Sequence, residues 1–275
     1  MNAENCSMFI GILDFFTVYS MNRIKRWKYW LESYLGSELL IEEKELIDEA
    51  VEDVFGYHAV QICPFNVNFL EKSRINNQYK LSFFYDQSYI GQKEDDRFIV
   101  SPQVLPIESQ SVDLIILIHI LETVEDPHLF LREVERILIP EGKLIICGFN
   151  PLGLWAINRF FKRSLLPSPV SNWVSLPRLK DWCKLLGFEI FAGRFLAYYP
   201  AINSRVWLKR LSWFNKFGPR WWPMAGGVYC ISATKRNVGI KLRDPRLWRT
   251  PKFSKKAAPS VVAKPKPQSF LLKND

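Results

Sequence analysis

Histidine is scarce in this chain, and the spacings that hold metals are missing. The 275 residues include three histidines (His58, His119 and His128), with no CxxC and no HExxH pattern. A structural or catalytic metal is therefore not expected. No apolar run reaches the roughly 20 residues needed to span a bilayer. Cysteines are few, odd in number and scattered, at 6, 63, 147, 183 and 230. That suits reduced core thiols in a cytoplasmic protein and excludes a disulfide framework. No internal repeat is visible. The apolar stretch Met8–Tyr19 lacks a basic leader and a small-residue cleavage site, so a signal peptide is not expected. Met21 opens a second plausible start, which makes residues 1–20 read as an extension or a misassigned start.

What is present is a lopsided charge. Residues 1–150 carry a net −11, residues 151–235 a net +11 and residues 236–275 a net +9, the whole summing to +9. The chain has an acidic front and a basic, Trp-rich back. Such a back is compatible with nucleic acid or an anionic membrane surface, but a solvated basic face and tail is the preferred reading. Hydrophobic residues make up 48% of the chain, enough for a sizeable core in one large α/β domain with additions. From Arg236 onward, repeated Pro, Lys, Ser and Ala predict a disordered tail.

The most ordered pattern lies in Ser111–Pro151. Val112–Ile118 is a short Ile-rich run entered through Asp113 and closed by His119, which reads as a strand buried on both faces. Asp126-Pro127 then precedes Leu129, Phe130, Val134, Ile137 and Leu138 at helical spacing, with Arg132, Glu133 and Arg136 between them as solvated ion-pairing residues. Pro140-Glu141-Gly142 is expected to end that helix, and Lys143–Cys147 to form a second buried strand. A strand–helix–strand crossover of this kind builds a parallel sheet with helices on its faces.

The stretch from Leu105-Pro106 through Val112-Asp113, His119, Leu121-Glu122, Asp126-Pro127, Leu131-Arg132-Glu133, Arg136-Ile137-Leu138 and Pro140-Glu141-Gly142 resembles the second half of a class I S-adenosylmethionine-dependent methyltransferase of the type-11 group. Phe149-Asn150-Pro151 and Leu152–Trp155 further resemble a small group of bacterial methyltransferase-domain proteins. The resemblance spans roughly residues 57–235. It implies a seven-stranded Rossmann-like sheet, mostly parallel with an antiparallel edge strand and helices on both faces. The implied organisation is an extension (1–20), leading helices (21–55), a methyltransferase domain (56–235) with a basic aromatic lid segment (151–175), and the tail (236–275).

In the chain's first part, Trp27, Trp30, Leu31 and Leu35 share a helical face that Gly36 can end, and residues 42–54 read as a second, acidic helix. His58–Cys63 reads as the first strand. The family follows it with a glycine-rich loop and a helix N-terminus that meet the cofactor's amino-acid end. This chain has Cys63-Pro64-Phe65-Asn66 there instead, a degenerate loop. Lys80–Tyr85 and Arg97–Val100 are the expected second and third strands. Ser175–Gly187 is an expected helix, Phe188–Phe195 and Gly226–Ala233 the last strands, and Arg205–Phe214 a basic aromatic helix.

The resemblance implies S-adenosylmethionine as cofactor, with Ile62, Cys63, Asn66, Asp86, Ser101 and Ile118 beside it. Asp86, a little over twenty residues after the loop, would accept from the ribose hydroxyls, or else serve as a turn residue. His119, at a strand's carboxyl end, would sit near the methyl acceptor as a candidate base, or else be a structural histidine. The expected function is methyl transfer to an unidentified small or apolar acceptor. The alternative is a catalytically inactive binding or regulatory protein on the same fold, favoured by the degenerate loop.

Overall fold

The computed structural model describes residues 26–83, 97–159, 166–167, 172–211 and 213–236. Asp86, the expected extension, the tail and much of the expected lid segment lie outside these residues.

Seven strands form one sheet in the order β3-β2-β1-β4-β5-β7-β6. They are β1 (His58–Ile62), β2 (Asn77–Ser82), β3 (Arg97–Ile99), β4 (Val112–Ile118), β5 (Leu138–Phe149), β6 (Phe188–Leu196) and β7 (Val228–Lys235). The strands from β3 to β5 pair in parallel. β7 runs antiparallel to both β5 and β6, so the antiparallel strand stands one place in from the edge.

Side-chain alternation along β4 divides the core in two, as a strand covered on both faces requires. Leu114, Ile116 and Ile118 point into one apolar cluster, and Ile115 and Leu117 into the other. The first cluster is roofed by helix α1 (Tyr34–Glu52), through Leu35, Leu39, Ile47 and Val51, and by Trp27 and Trp30 from a short helical stretch at 26–31. Helices α2 (Pro127–Ile137) and α3 (Leu176–Leu185) cover the second.

Gly36 does not end the first helix. It lies in the first turn of α1, where Ser33 Oγ accepts from its N–H at 3.1 Å as the N-cap. A side chain is excluded there because a Cβ would stand 2.2 Å from the Trp30 carbonyl oxygen. α2 begins as its sequence requires: Asp126 Oδ1 accepts from the N–H groups of His128 and Leu129, both at 3.0 Å, and Pro127 fills the first turn.

Pro140-Glu141-Gly142 does not stop that helix. α2 ends at Ile137, and the three residues lie within β5, where the register with β4 passes from Val112↔Leu138 to Leu114↔Lys143. Glu141 takes a positive φ of 64° in this detour. β2 starts three residues earlier than expected because its N-terminal half pairs with β1 from His58↔Asn77.

Three polar side chains explain parts of the sequence pattern. Asp113 Oδ2 accepts from the N–H groups of Tyr57 (2.8 Å) and His58 (2.9 Å), fixing the entry to β1. The Arg136 guanidinium pairs with Glu133 at 2.9 Å and donates to the carbonyls of Leu105 and Ile107, each at 3.0 Å, holding the loop that feeds β4. Asn150 Nδ2 donates to the carbonyls of Met224 and Gly226, each at 2.9 Å, securing the entry to β7.

Candidate functional site

At the carboxyl ends of β1 and β4 the parallel order diverges, the position where open α/β sheets place their ligands. His119 follows β4 with a φ of +50°, a left-handed conformation that histidine tolerates better than most residues. It is fully buried. Its Nε2 donates to Glu43 Oε1 on α1 at 2.8 Å, and its Nδ1 to Glu122 Oε2 at 3.1 Å. A neutral imidazole has only one N–H, so two carboxylate partners require the imidazolium. Burial pulls its pKa down, but the charges and hydrogen bonds of Glu43 and Glu122 outweigh that and push it up to about 10. Glu122 also accepts from the Phe149 N–H, which ties the group to β5.

Aromatic rings surround this ionic group. Phe149 lies 4.2 Å from the His119 ring centroid and Trp27 lies 5.3 Å from it. Trp27 in turn contacts Phe65 (5.5 Å) and Trp30 (5.6 Å), and Phe149 stacks on Trp173 at 4.8 Å. The charged imidazolium thus lies among electron-rich ring faces, a favourable arrangement for a buried cation. Three donors in the same cluster, Trp30 Nε1, Trp173 Nε1 and the Tyr199 hydroxyl, are buried without a hydrogen-bond partner. Each costs about 1–3 kcal/mol.

The loop after β1 departs from the family expectation. Residues 66–76 contain no helix, so no helix N-terminus follows the strand. Buried Gln61 organises the turn instead: its Nε2 donates to the Val67 carbonyl at 2.5 Å, and its Oε1 accepts from the Phe69 N–H at 2.8 Å. Cys63 Sγ donates to the Phe65 carbonyl at 2.9 Å, and the Phe65 ring turns inward to Trp27. Signals for this lay in the sequence, in the missing glycines and in a glutamine within an apolar strand.

The other expected site residues are spread apart. Ile62 and Ile118 belong to clusters on opposite faces of the sheet. Asn66 is exposed, as is Ser101, whose Oγ donates to Gln103 Oε1 at 2.7 Å. Sequence reasoning singled out His119 but not Glu43, Glu122, Trp27 and Phe149 as its partners. Among the described residues, no group of three or more His, Cys, Asp or Glu side chains is placed to hold a metal.

Residues 89–146, from before β3 to within β5, match the family model for a methyltransferase domain. The stretch is similar to class I methyltransferase domains of the type-11 group. The uncharacterized protein YafS of Escherichia coli (strain K12) is 35% identical over 147 residues, which covers 51% of this chain and 55% of YafS. The chain thus spans about half the length of that relative. Among solved structures, an S-adenosylmethionine-dependent methyltransferase from Thermotoga maritima aligns at 16% identity and a TM-score of 0.49, covering 75% of this chain and all of that one. Another from Archaeoglobus fulgidus aligns at 14% identity and a TM-score of 0.48, covering 72% of this chain and 99% of that one.

S-adenosylmethionine is the cofactor expected of such a domain. As arranged, the described residues do not fit its methionine end. Gln61 Oε1 already takes up the Phe69 N–H, the turn is followed by no helix, and the Phe65 and Trp27 rings meet in the buried cluster that α1 and β4 share.

Proposed function

We propose that this chain is an S-adenosylmethionine-dependent methyltransferase of small, largely apolar acceptors, working from a state in which the α1 layer has drawn back from β4. The observation that carries this reading is the buried Glu43–His119–Glu122 group at the carboxyl end of β4. A plug with only a packing role is better built from apolar side chains, because buried ions repay their desolvation poorly. Ionisable groups kept at a strand end beside the switch point are what a working site retains. Parting α1 from β4 separates Glu43 from Nε2 and leaves His119 oriented by Glu122 alone, free to lose a proton to solvent or to accept one. The unpartnered indole and phenol donors support an acceptor that is flat, apolar and equipped with a hydrogen-bond acceptor atom.

A second reading has its own support. The inward Phe65 ring and the helix-free turn after β1 favour a non-catalytic binding or regulatory protein on the same fold. Calorimetry with S-adenosylhomocysteine on the wild type and on Phe65→Ala separates the two. The methyltransferase reading expects weak binding by the wild type and tighter binding by the variant, because the closed state reduces apparent affinity by the fraction that is open. No heat from either protein at millimolar ligand rejects that reading and leaves the non-catalytic one.

A further inference from the structure

Helices α4 (Arg205–Leu211) and α5 (Trp213–Trp221) carry large aromatic rings that are half or more exposed. Trp207 and Phe217 are each 51% exposed, Trp213 50% and Trp221 68%. Trp213 and Phe217 meet edge to face at 6.0 Å, so the rings at 213, 217 and 221 form one stripe at helical spacing. The body lies on another side. Leu208 is buried, and a Cβ on Gly218 would come within 2.3 Å of the Tyr198 ring, so α5 is pressed against the protein there. Trp222 and Met224, just beyond α5, are also more than half exposed.

Charge accompanies these rings. Residues 205–224 contain five basic side chains and no acidic one. Arg205, Arg210 and Arg220 are exposed, and the Arg210 guanidinium lies 5.7 Å from the Trp207 ring centroid. A large exposed apolar patch on a soluble fold marks an interaction surface. Short helices with Trp and Phe on one side and arginines at the margins match the headgroup boundary of a bilayer, where the ring sits at the acyl edge and the guanidinium meets phosphate.

We propose that the α4–α5 face docks this protein onto anionic phospholipid membrane surfaces. The chemistry favours lipid over nucleic acid because aliphatic Val206 and Met224 are exposed within the same segment. Such side chains gain from an acyl boundary and offer nothing for base stacking. The absence of any acid in the segment selects a negatively charged surface over a neutral one. This surface is separate from the His119 site, and the proposal stands whether or not the chain transfers methyl groups.

The test is sedimentation of the full chain with phosphatidylcholine vesicles, with and without phosphatidylglycerol. A parallel titration uses mixed-sequence single-stranded RNA. Binding to phosphatidylglycerol vesicles is expected, weakened by salt but not abolished by it. The Trp213→Ala/Phe217→Ala/Trp221→Ala variant should weaken it on the order of tenfold or more. Arg210→Glu/Arg220→Glu serves as an independent second variant with the same expectation. An unchanged melting temperature in either variant shows that the fold is intact. Absence of vesicle binding overturns the proposal. So does binding that both variants leave undiminished, which assigns it to the basic residues after 236. Preferential RNA binding lost in the aromatic variant overturns it in favour of a nucleic-acid surface.

Discussion

His119 Nε2 and Glu43 Oε1 stand 2.8 Å apart across 76 residues of sequence, joining the central strand of the sheet to the helix that roofs it. Because Nδ1 of the same ring donates to Glu122, the two contacts hold together only while the imidazole is charged. The roof over the crevice is therefore fastened by an ion as well as by apolar packing.

That fastening gives stability a pH dependence. The folded-state pKa of His119 is about 10 against an ordinary value of 6.5. The folded protein thus keeps a proton that the unfolded chain releases. The stabilisation from this group is complete below pH 6.5 and is lost as the pH rises from 6.5 through about 10. Thermal unfolding followed by circular dichroism should show Tm falling across that window, and His119→Asn should flatten the profile. Equal slopes in both proteins would show that His119 is not the group responsible.

Removing one partner of the buried pair should cost more than any surface change. Glu43→Ala removes one of the two carboxylates on the buried imidazolium and leaves it paired with Glu122 alone, with an expected loss of about 1–3 kcal/mol in urea unfolding. In a double-mutant cycle with His119→Ala the two losses should be strongly non-additive. Additive losses would show that the two side chains act independently.

Arg136 is expected to matter through its geometry as well as its charge. Its guanidinium spans Glu133 and two loop carbonyls at once, a reach that lysine lacks. Arg136→Lys should lower stability by about 1–3 kcal/mol, read from denaturant midpoints. A change of only a few tenths would mean that the loop before β4 is held by other contacts.

Gly153 should tolerate no side chain. A Cβ there would lie 2.2 Å from the Gly226 carbonyl oxygen, and neither backbone segment is free to yield because Asn150 bonds to that same carbonyl. Gly153→Ala should destabilise by about 1–3 kcal/mol, and Asn150→Ala, which removes the donor, by a similar amount. Wild-type melting temperatures for both variants would contradict this view of the Phe149–Trp155 motif.

Local patterns made much of this fold legible. β4 runs Val112–Ile118 as its apolar run implies, and α2 starts where Asp126-Pro127 places it, because capping and burial of short segments are decided by neighbours in sequence. The site was half legible. His119 and Glu122 fall one turn apart and could be paired by eye. Glu43 reaches them only through the packing of a helix whose acidic sequence looks like a solvent-facing one, and Trp27 through the short helical stretch before it. The turn after β1 was suspect from its missing glycines. Its lack of a following helix was hidden because Gln61, a strand residue, satisfies groups that a helix would otherwise have paired. The sequence reads as one basic aromatic helix over Arg205–Phe214 where the structure has α4 and then α5 running on to Trp221, and only the structure shows which rings are exposed.

Hydrogen exchange across α1, measured with and without saturating S-adenosylmethionine, tests the central claim most directly. If the roof must withdraw for the crevice to open, amides of Tyr34–Glu52 should exchange faster in the presence of ligand. Bound ligand with unchanged or slower exchange in α1 would contradict the account.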